Sequence, residues 1–188
     1  VDAILAHPDV AAVSFVGSDA DEVVLASGFA DVDLGGGDDT FVQTTSRAPA
    51  ATAPTGRLHG GEGADTYAND DRAGVDLDLV TGHVRFTAGA RLVPVDLDGV
   101  EDVRLQGGAA PVTVRGDGAD NRIEVSGCRV TVDAGDGADE VLAWGTVRCT
   151  ATSRAVLRGG AGDDLLVGGP TDDRLTGGAG QDDADGRG

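Results

Sequence analysis

Short runs that alternate apolar and polar residues recur along this chain, and glycine- and aspartate-rich turns recur between them. Val75-Asp76-Leu77-Asp78-Leu79, Val112-Thr113-Val114 and Val130-Thr131-Val132 are the clearest runs. A period of two puts one face of a strand inward and the other toward water. Between successive Asp turns lies a plainer turn, at Ser27-Gly28, Gln106-Gly107-Gly108, Ser126-Gly127 and Trp144-Gly145. One coil is therefore strand, Asp turn, strand, plain turn. With one Asp of each rich turn as a ruler, the marks are Asp21, Asp39, Asp65, Asp102, Asp120, Asp139, Asp164 and Asp182. They are separated by 18, 26, 37, 18, 19, 25 and 18 residues. The 37 reads as two steps with one motif missing, and the 26 and 25 as one step plus a loop. A fixed period of this kind is the signature of a solenoid. The pattern predicts an all-β chain, a parallel β-solenoid (β-roll or β-helix) of about nine coils of 18–19 residues.

The coils span residues 13–185. Residues 1–12 read as an N-terminal cap or linker, in which Asp2 to Ala6, ahead of Pro8, form a short helical turn over the first coil. An open solenoid end needs such cover because unpaired strand edges aggregate. Residues 186–188 are a tail, and the polar stretch Gln181 to Gly188 is expected to fray. Two insertions break the ladder. One, near 43–57, is rich in Ala, Thr and Pro and reads as an exposed loop. The other, near 146–154, holds Cys149, which lies 21 residues after Cys128. That is close to one coil, so a disulfide would pin the inserted loop to its neighbour; two buried free thiols are the alternative.

Three nonapeptides run head to tail near the C-terminus: GGAGDDLLV from Gly159, GGPTDDRLT from Gly168 and GGAGQDDAD from Gly177. The first fits G-G-x-G-x-D-x-U-x, with U a large apolar residue, as does GGEGADTYA from Gly60 at its fixed positions. Gly35 to Val42 and Gly135 to Leu142 fit most of it. A flexible Gly/Asp-rich linker is the bland alternative, but linkers do not repeatedly place a large apolar residue two positions after an Asp. The motif resembles the repeats-in-toxin (RTX) family of calcium-binding β-rolls. Glycines let the chain turn at φ > 0. The Asp supplies a hard anionic oxygen, and Ca²⁺ needs six to eight oxygens, so two stacked turns must share an ion.

The resemblance implies a calcium-binding module that is secreted or extracellular, folds on binding Ca²⁺, and often accompanies a passenger domain in its parent chain. The candidate ligating turns are Asp21; Gly35, Gly37 and Asp39; Gly61, Gly63 and Asp65; Gly116, Gly118 and Asp120; Gly135, Gly137 and Asp139; Gly160, Gly162 and Asp164; Asp173; and Gly178, Gly180 and Asp182. Ions are expected along one edge, with only Asp173 able to start a second column. Some turns depart from the pattern. Gly82-His83 sits where a motif is due but has no carboxylate, and Glu101-Asp102 has acids without the glycine frame. Thr171 stands where the motif has a glycine. In GDGADNRI, from Gly116, the apolar residue comes one place late, which predicts a bulge at Arg122.

Composition narrows the functions. The chain has 188 residues and a net charge of −19, with 31 glycines and only 3% aromatics. So acidic a chain lacks the basic footprint of a nucleic-acid binder and suits a polyvalent cation binder. No apolar stretch approaches the ~20 residues of a membrane span. There is no signal-peptide pattern and Val1 is not an initiator Met, so the chain reads as a mature or excised segment. His7, His59 and His83 lack zinc spacing, and no G-x-S-x-G occurs. No enzymatic site is expected. The remaining alternatives are a structural or adhesive surface rod stiffened by calcium, and a β-helix polysaccharide lyase or hydrolase.

Overall fold

The structure, a computed structural model, describes residues 2–5, 14–26, 31–43, 56–69, 74–86, 95–144, 149 and 154–187. Among them are nineteen strands and no helix. The chain starts with β1 (Asp2–Leu5), β2 (Ser14–Ser18), β3 (Glu22–Ala26), β4 (Asp31–Gly36) and β5 (Thr40–Gln43). It continues through β6 (Gly56–Glu62), β7 (Thr66–Asn69), β8 (Val75–Asp78), β9 (His83–Phe86) and β10 (Val95–Asp98). Then follow β11 (Asp102–Gln106), β12 (Pro111–Arg115), β13 (Arg122–Ser126), β14 (Arg129–Asp136) and β15 (Glu140–Trp144). The last strands are β16 (Arg154–Ala161), β17 (Leu165–Val167), β18 (Arg174–Ala179) and β19 (Asp183–Asp185).

These strands stack into two sheets. A nine-stranded sheet runs β1-β3-β5-β7-β11-β13-β15-β17-β19, parallel throughout. A ten-stranded sheet runs β18-β16-β14-β12-β8-β9-β10-β6-β4-β2. The fold is thus the expected all-β solenoid, with successive coils in register. The alternation sets which side chains meet between the sheets. Val24, Phe41, Tyr67, Val103, Ile123, Val141 and Leu166 are buried from one sheet, and Val32, Leu58, Leu77, Val114, Val132 and Leu157 from the other. Each such Val or Leu contributes about 1.5–3 kcal/mol relative to exposure. Phe41 and Tyr67 stack in adjacent coils with ring centroids 6.4 Å apart, and the Tyr67 hydroxyl donates to Gln43 Oε1.

Three expectations are corrected here. Residues Asp2–Leu5 are not a helical turn but strand β1, paired with β3. The β-branched Ile4 suits a strand, and the open edge of the sheet at β3 offers these residues ladder partners. The polar C-terminus is ordered as far as Arg187: β19 pairs with β17, and the Arg187 guanidinium lies 5.2 Å from the Trp144 ring centroid. The third concerns the 37-residue step. In the nine-stranded sheet β7 pairs directly with β11, so the step is one rung there, not two. In the other sheet the extra residues make a hairpin. Strand β9 runs antiparallel to both β8 and β10, and Gly82 sits in the β8–β9 turn with φ 70°. The solenoid is therefore parallel except at this one inserted strand among the described residues.

The insertions near 43–57 and 146–154 fall largely outside the described residues, as do residues 6–13, Ser27-Gly28 and Gly145. Cys128 and Cys149 form the expected disulfide, with Cα atoms 5.2 Å apart.

Candidate metal centre

The turns on one edge of the solenoid carry most of the candidate residues. Gly35, Gly37, Gly61, Gly63, Gly135, Gly137, Gly160, Gly162, Gly178 and Gly180 all have positive φ, between 101° and 141°. Two kinds of constraint are visible in the turn that starts at Gly159. A Cβ on Gly160 would collide with the carbonyl oxygen of Gly135 in the preceding coil, so the positive φ also permits the closest backbone stacking. A Cβ on Gly159 would collide with the carboxylate of Asp164, which folds back over it. The motif glycines thus make room both for the neighbouring turn and for the motif Asp.

Those carboxylates form a ladder. Asp39 Oδ1 accepts from the Glu22 N–H at 2.7 Å, Asp65 Oδ1 from Asp39 at 2.9 Å, and Glu101 Oε2 from Asp65 at 3.0 Å. Further along, Asp139 Oδ1 accepts from Asn121 at 2.8 Å, Asp164 from Asp139 at 3.0 Å, and Asp182 from Asp164 at 3.2 Å. Asp39, Asp65, Asp139 and Asp164 are at most 2% exposed. In all four the second oxygen, Oδ2, is buried without a hydrogen-bond partner.

A buried carboxylate with one oxygen unpartnered is costly, since burial disfavours its charge. Burial pushes the Asp65 and Asp139 carboxyls up to about 6, against backbone hydrogen bonds from Asp39 and Asn121 that act to lower them; neighbouring acids push the same way as burial. Asp39 is raised for the same first reason. A hard divalent cation in these turns would supply the missing partner for each Oδ2, and carboxylate with backbone carbonyl is the donor set Ca²⁺ prefers. The residues therefore fit the ion. No three His, Cys, Asp or Glu side chains converge among the described residues, so one carboxylate per turn and main-chain oxygens would have to do the binding.

The ruler was one residue out of register in three places. Strand pairing aligns Glu22 with Asp39, and Glu101 with both Asp65 and Asn121. The inward column is therefore Glu22, Asp39, Asp65, Glu101, Asn121, Asp139, Asp164 and Asp182, all buried except Glu101, which is half-buried, and Asp182, which is exposed in the last coil. Asp21 and Asp120 lie one residue earlier, in an exposed outer row with Asp38 and Asp163. In that row Asp21 accepts from Asp38 N–H, Asp38 from Ala64, Asp120 from Ala138 and Asp163 from Gln181. Asp102 opens β11, beside Arg122. No bulge occurs at Arg122, which pairs in regular register with Glu140. Gly116 and Gly118 are displaced likewise: Asp117 and Ala119 stand where Gly135 and Gly137 stand in the next coil, and this turn has no positive-φ residue. The usable signal was the apolar residue two places on. Val24, Val103 and Ile123 mark Glu22, Glu101 and Asn121 as the motif positions, although two are Glu and one is an amide.

The ladder has one break. The tip of the β8–β9 hairpin enters the edge between the turn before β11 and the turn before β13. Leu79 N–H donates to the Arg115 carbonyl on one side, and Gly82 accepts from Leu97 N–H on the other. A cavity of about 220 Å³ remains there, lined by Leu79 to Gly82, Leu97 to Glu101 and Asp117. Across this gap Asn121 Nδ2 donates to the Glu101 carbonyl, while Asn121 Oδ1 accepts from Asp117 N–H. No carboxylate bridges it.

The opposite edge is built differently. In the last four coils the residues that open its inward rows are Val112, Val130, Ala155 and Asp173, so among these only the last coil has an acid there. Asp173 Oδ1 accepts from Ala155 N–H at 2.7 Å and from Thr171 Oγ1 at 2.9 Å, and Oδ2 accepts from Gly169 N–H at 2.7 Å. Its oxygens are engaged by its own turn and its neighbour. His7 lies outside the described residues, and the other two histidines belong to neither edge. His59 and His83 lie on the exposed face of the ten-stranded sheet, each 3.1 Å from an aspartate, Asp98 and Asp96.

Residues 155–187 match the family model of the RTX calcium-binding nonapeptide repeat, in four copies. Repeats of this family bind Ca²⁺, and the β-roll is their fold. No curated protein matches the chain.

Proposed function

We propose that this chain, which carries RTX calcium-binding repeats over residues 155–187, is a calcium-binding β-solenoid module that completes its folding on binding Ca²⁺ outside the cell, as part of a larger secreted or surface protein. The observation that supports it best is the set of four buried, unpartnered Oδ2 atoms in register along one edge. Without a cation, carboxylates ~5 Å apart repel by about 0.8 kcal/mol per pair in water and by more near protein. Calcium reverses that cost, so its binding free energy becomes folding free energy.

Three pairs of stacked turns have the paired positive-φ glycines on both members. They are Gly35–Asp39 on Gly61–Asp65, Gly135–Asp139 on Gly160–Asp164, and Gly160–Asp164 on Gly178–Asp182. These are the sites proposed to fill. Asp21, Asp120 and Asp173 are not among their ligands. Calorimetric titration with Ca²⁺ tests the register. Asp164→Ala should remove the two C-terminal sites, while Asp163→Ala, in the exposed outer row, should leave the stoichiometry unchanged. Equal loss in both variants would overturn the assignment.

A further inference from the structure

We infer that the β8–β9 hairpin divides the calcium edge into two blocks that load independently: an N-terminal block from Glu22 to Glu101 and a C-terminal block from Asn121 to Asp182. This rests on the calcium reading above and adds a boundary to it. Within a block, neighbouring rungs are joined in two ways. Each buried backbone N–H donates to the next carboxylate, so a ligand that fixes one carboxylate also fixes the next rung. In the C-terminal block, moreover, the Gly160–Asp164 turn is shared by two proposed sites, so filling one orders half of the other.

Both links are missing at the hairpin. Glu101 N–H turns back to the Asp65 carbonyl instead of passing to a carboxylate ahead. The facing residue, Asn121, carries no charge, and its amide oxygen is taken by Asp117 N–H. The turn before β11 has only Gly99 at positive φ, and the turn before β13 has none, so no glycine-framed pair spans the boundary. The nine-stranded sheet does continue across it, with Asp102 on Arg122 and Val103 on Ile123. The blocks are thus held in one body by their core, while the path between their metal sites is cut. The family match, at residues 155–187, lies wholly inside the second block.

The whole chain supplies its own reporter. Trp144, the only tryptophan, is 44% exposed and closes β15, in the Asp139 coil of the C-terminal block, with the Arg187 guanidinium over its ring at the edge opposite the carboxylates. Ca²⁺ titrations should be followed by Trp144 fluorescence and by calorimetry in the wild type, Asp65→Asn, Asp139→Asn and Asp164→Asn. Asparagine already occupies the column at position 121, so the substitution is compatible with the fold. Asp65→Asn should leave the Trp144 midpoint within about twofold of wild type while the N-terminal site disappears from the calorimetric trace. Asp164→Asn should abolish the Trp144 response and leave the N-terminal midpoint unchanged. Asp139→Asn, inside the same block as the reporter, should shift the Trp144 midpoint at least tenfold. A shift of fivefold or more caused by Asp65→Asn would overturn the division, and so would an unmoved midpoint in Asp139→Asn. A wild-type chain that bound no Ca²⁺ in calorimetry would overturn the calcium reading itself, and the division with it.

Discussion

The two edges of the solenoid are made by the same coils and are held together by different physics. On one edge four of the turns bury an aspartate at the start of the strand, Asp39, Asp65, Asp139 and Asp164. On the other, the equivalent inward position is Val112, Val130 or Ala155. Among the described residues of the apolar edge, Val112, Val130 and Ala155 pack inward, and a disulfide joins Cys128 to Cys149. The acidic edge carries a ladder of backbone N–H donors to carboxylates but leaves four side-chain oxygens unpartnered. One edge is therefore a structural seam, and on the other, under the proposed calcium binding, a cation would supply the missing partners. The difference teaches that a repeat can have a permanent side and a conditional side.

Removing divalent metal should test this most severely. With a chelator, amides of the acidic edge should lose hydrogen-exchange protection, and far-UV circular dichroism should lose much of its β signal. Amides flanking Gly127 and Cys128 should lose least. Equal loss at both edges would erase the distinction.

Breaking the other seam should have the next largest effect. Reducing the disulfide, or replacing Cys128 and Cys149 by Ser, opens a loop of 21 residues, for which chain entropy predicts about 3 kcal/mol. The melting temperature should fall by several degrees, while the number of Ca²⁺ ions bound, read by calorimetry, should not change.

A neutral rung should separate the cost of the acidic edge from its use. Asp139→Asn removes a buried charge, so the metal-free fold should gain about 1–2 kcal/mol, and Ca²⁺ affinity should fall. Proton uptake should act in the same sense. The Asp65 and Asp139 carboxyls sit at about 6 in the fold, above the roughly 3.9 of an unfolded Asp. The folded state thus binds protons more tightly. In chelator, thermal stability should rise as pH falls through about 6 and level off below about 4. Calcium affinity, measured over the same range, should fall, because protons compete for the same oxygens.

The smallest effect should come from Asp173, the acid at an inward position of the apolar edge. Asp173→Ala removes three hydrogen bonds at a half-exposed turn where water can replace the acceptor and should cost about 1 kcal/mol by denaturant unfolding, with no change in calcium stoichiometry.

The chain's own pattern was sufficient for the solenoid, the acidic edge, the disulfide and five carboxylates of the inward column, Asp39, Asp65, Asp139, Asp164 and Asp182. Each depends on local chemistry: alternation forms a strand, positive φ selects glycine, and a hard oxygen recurs at a fixed place. The turns from Gly35, Gly60, Gly135, Gly159 and Gly177 were legible because motif and period agreed there. Where they disagreed, counting aspartates misled. Asp21 and Asp120 are acids beside the column, while Glu22, Glu101 and Asn121 are in it, because strand register follows the inward Val24, Val103 and Ile123 and not the charge.

What only the tertiary structure decided is the continuity of the metal edge. Val75 to Leu79 has the same alternation as a coil strand, and nothing local says that the chain after Gly82 turns back antiparallel. That choice depends on which strands lie free to pair, β10 on one side and β12 on the other, and pairing partners are set by the assembled sheet. The sequence by itself determined that carboxylates would line one edge. The inserted hairpin, visible only in three dimensions, determined that they line it in two runs.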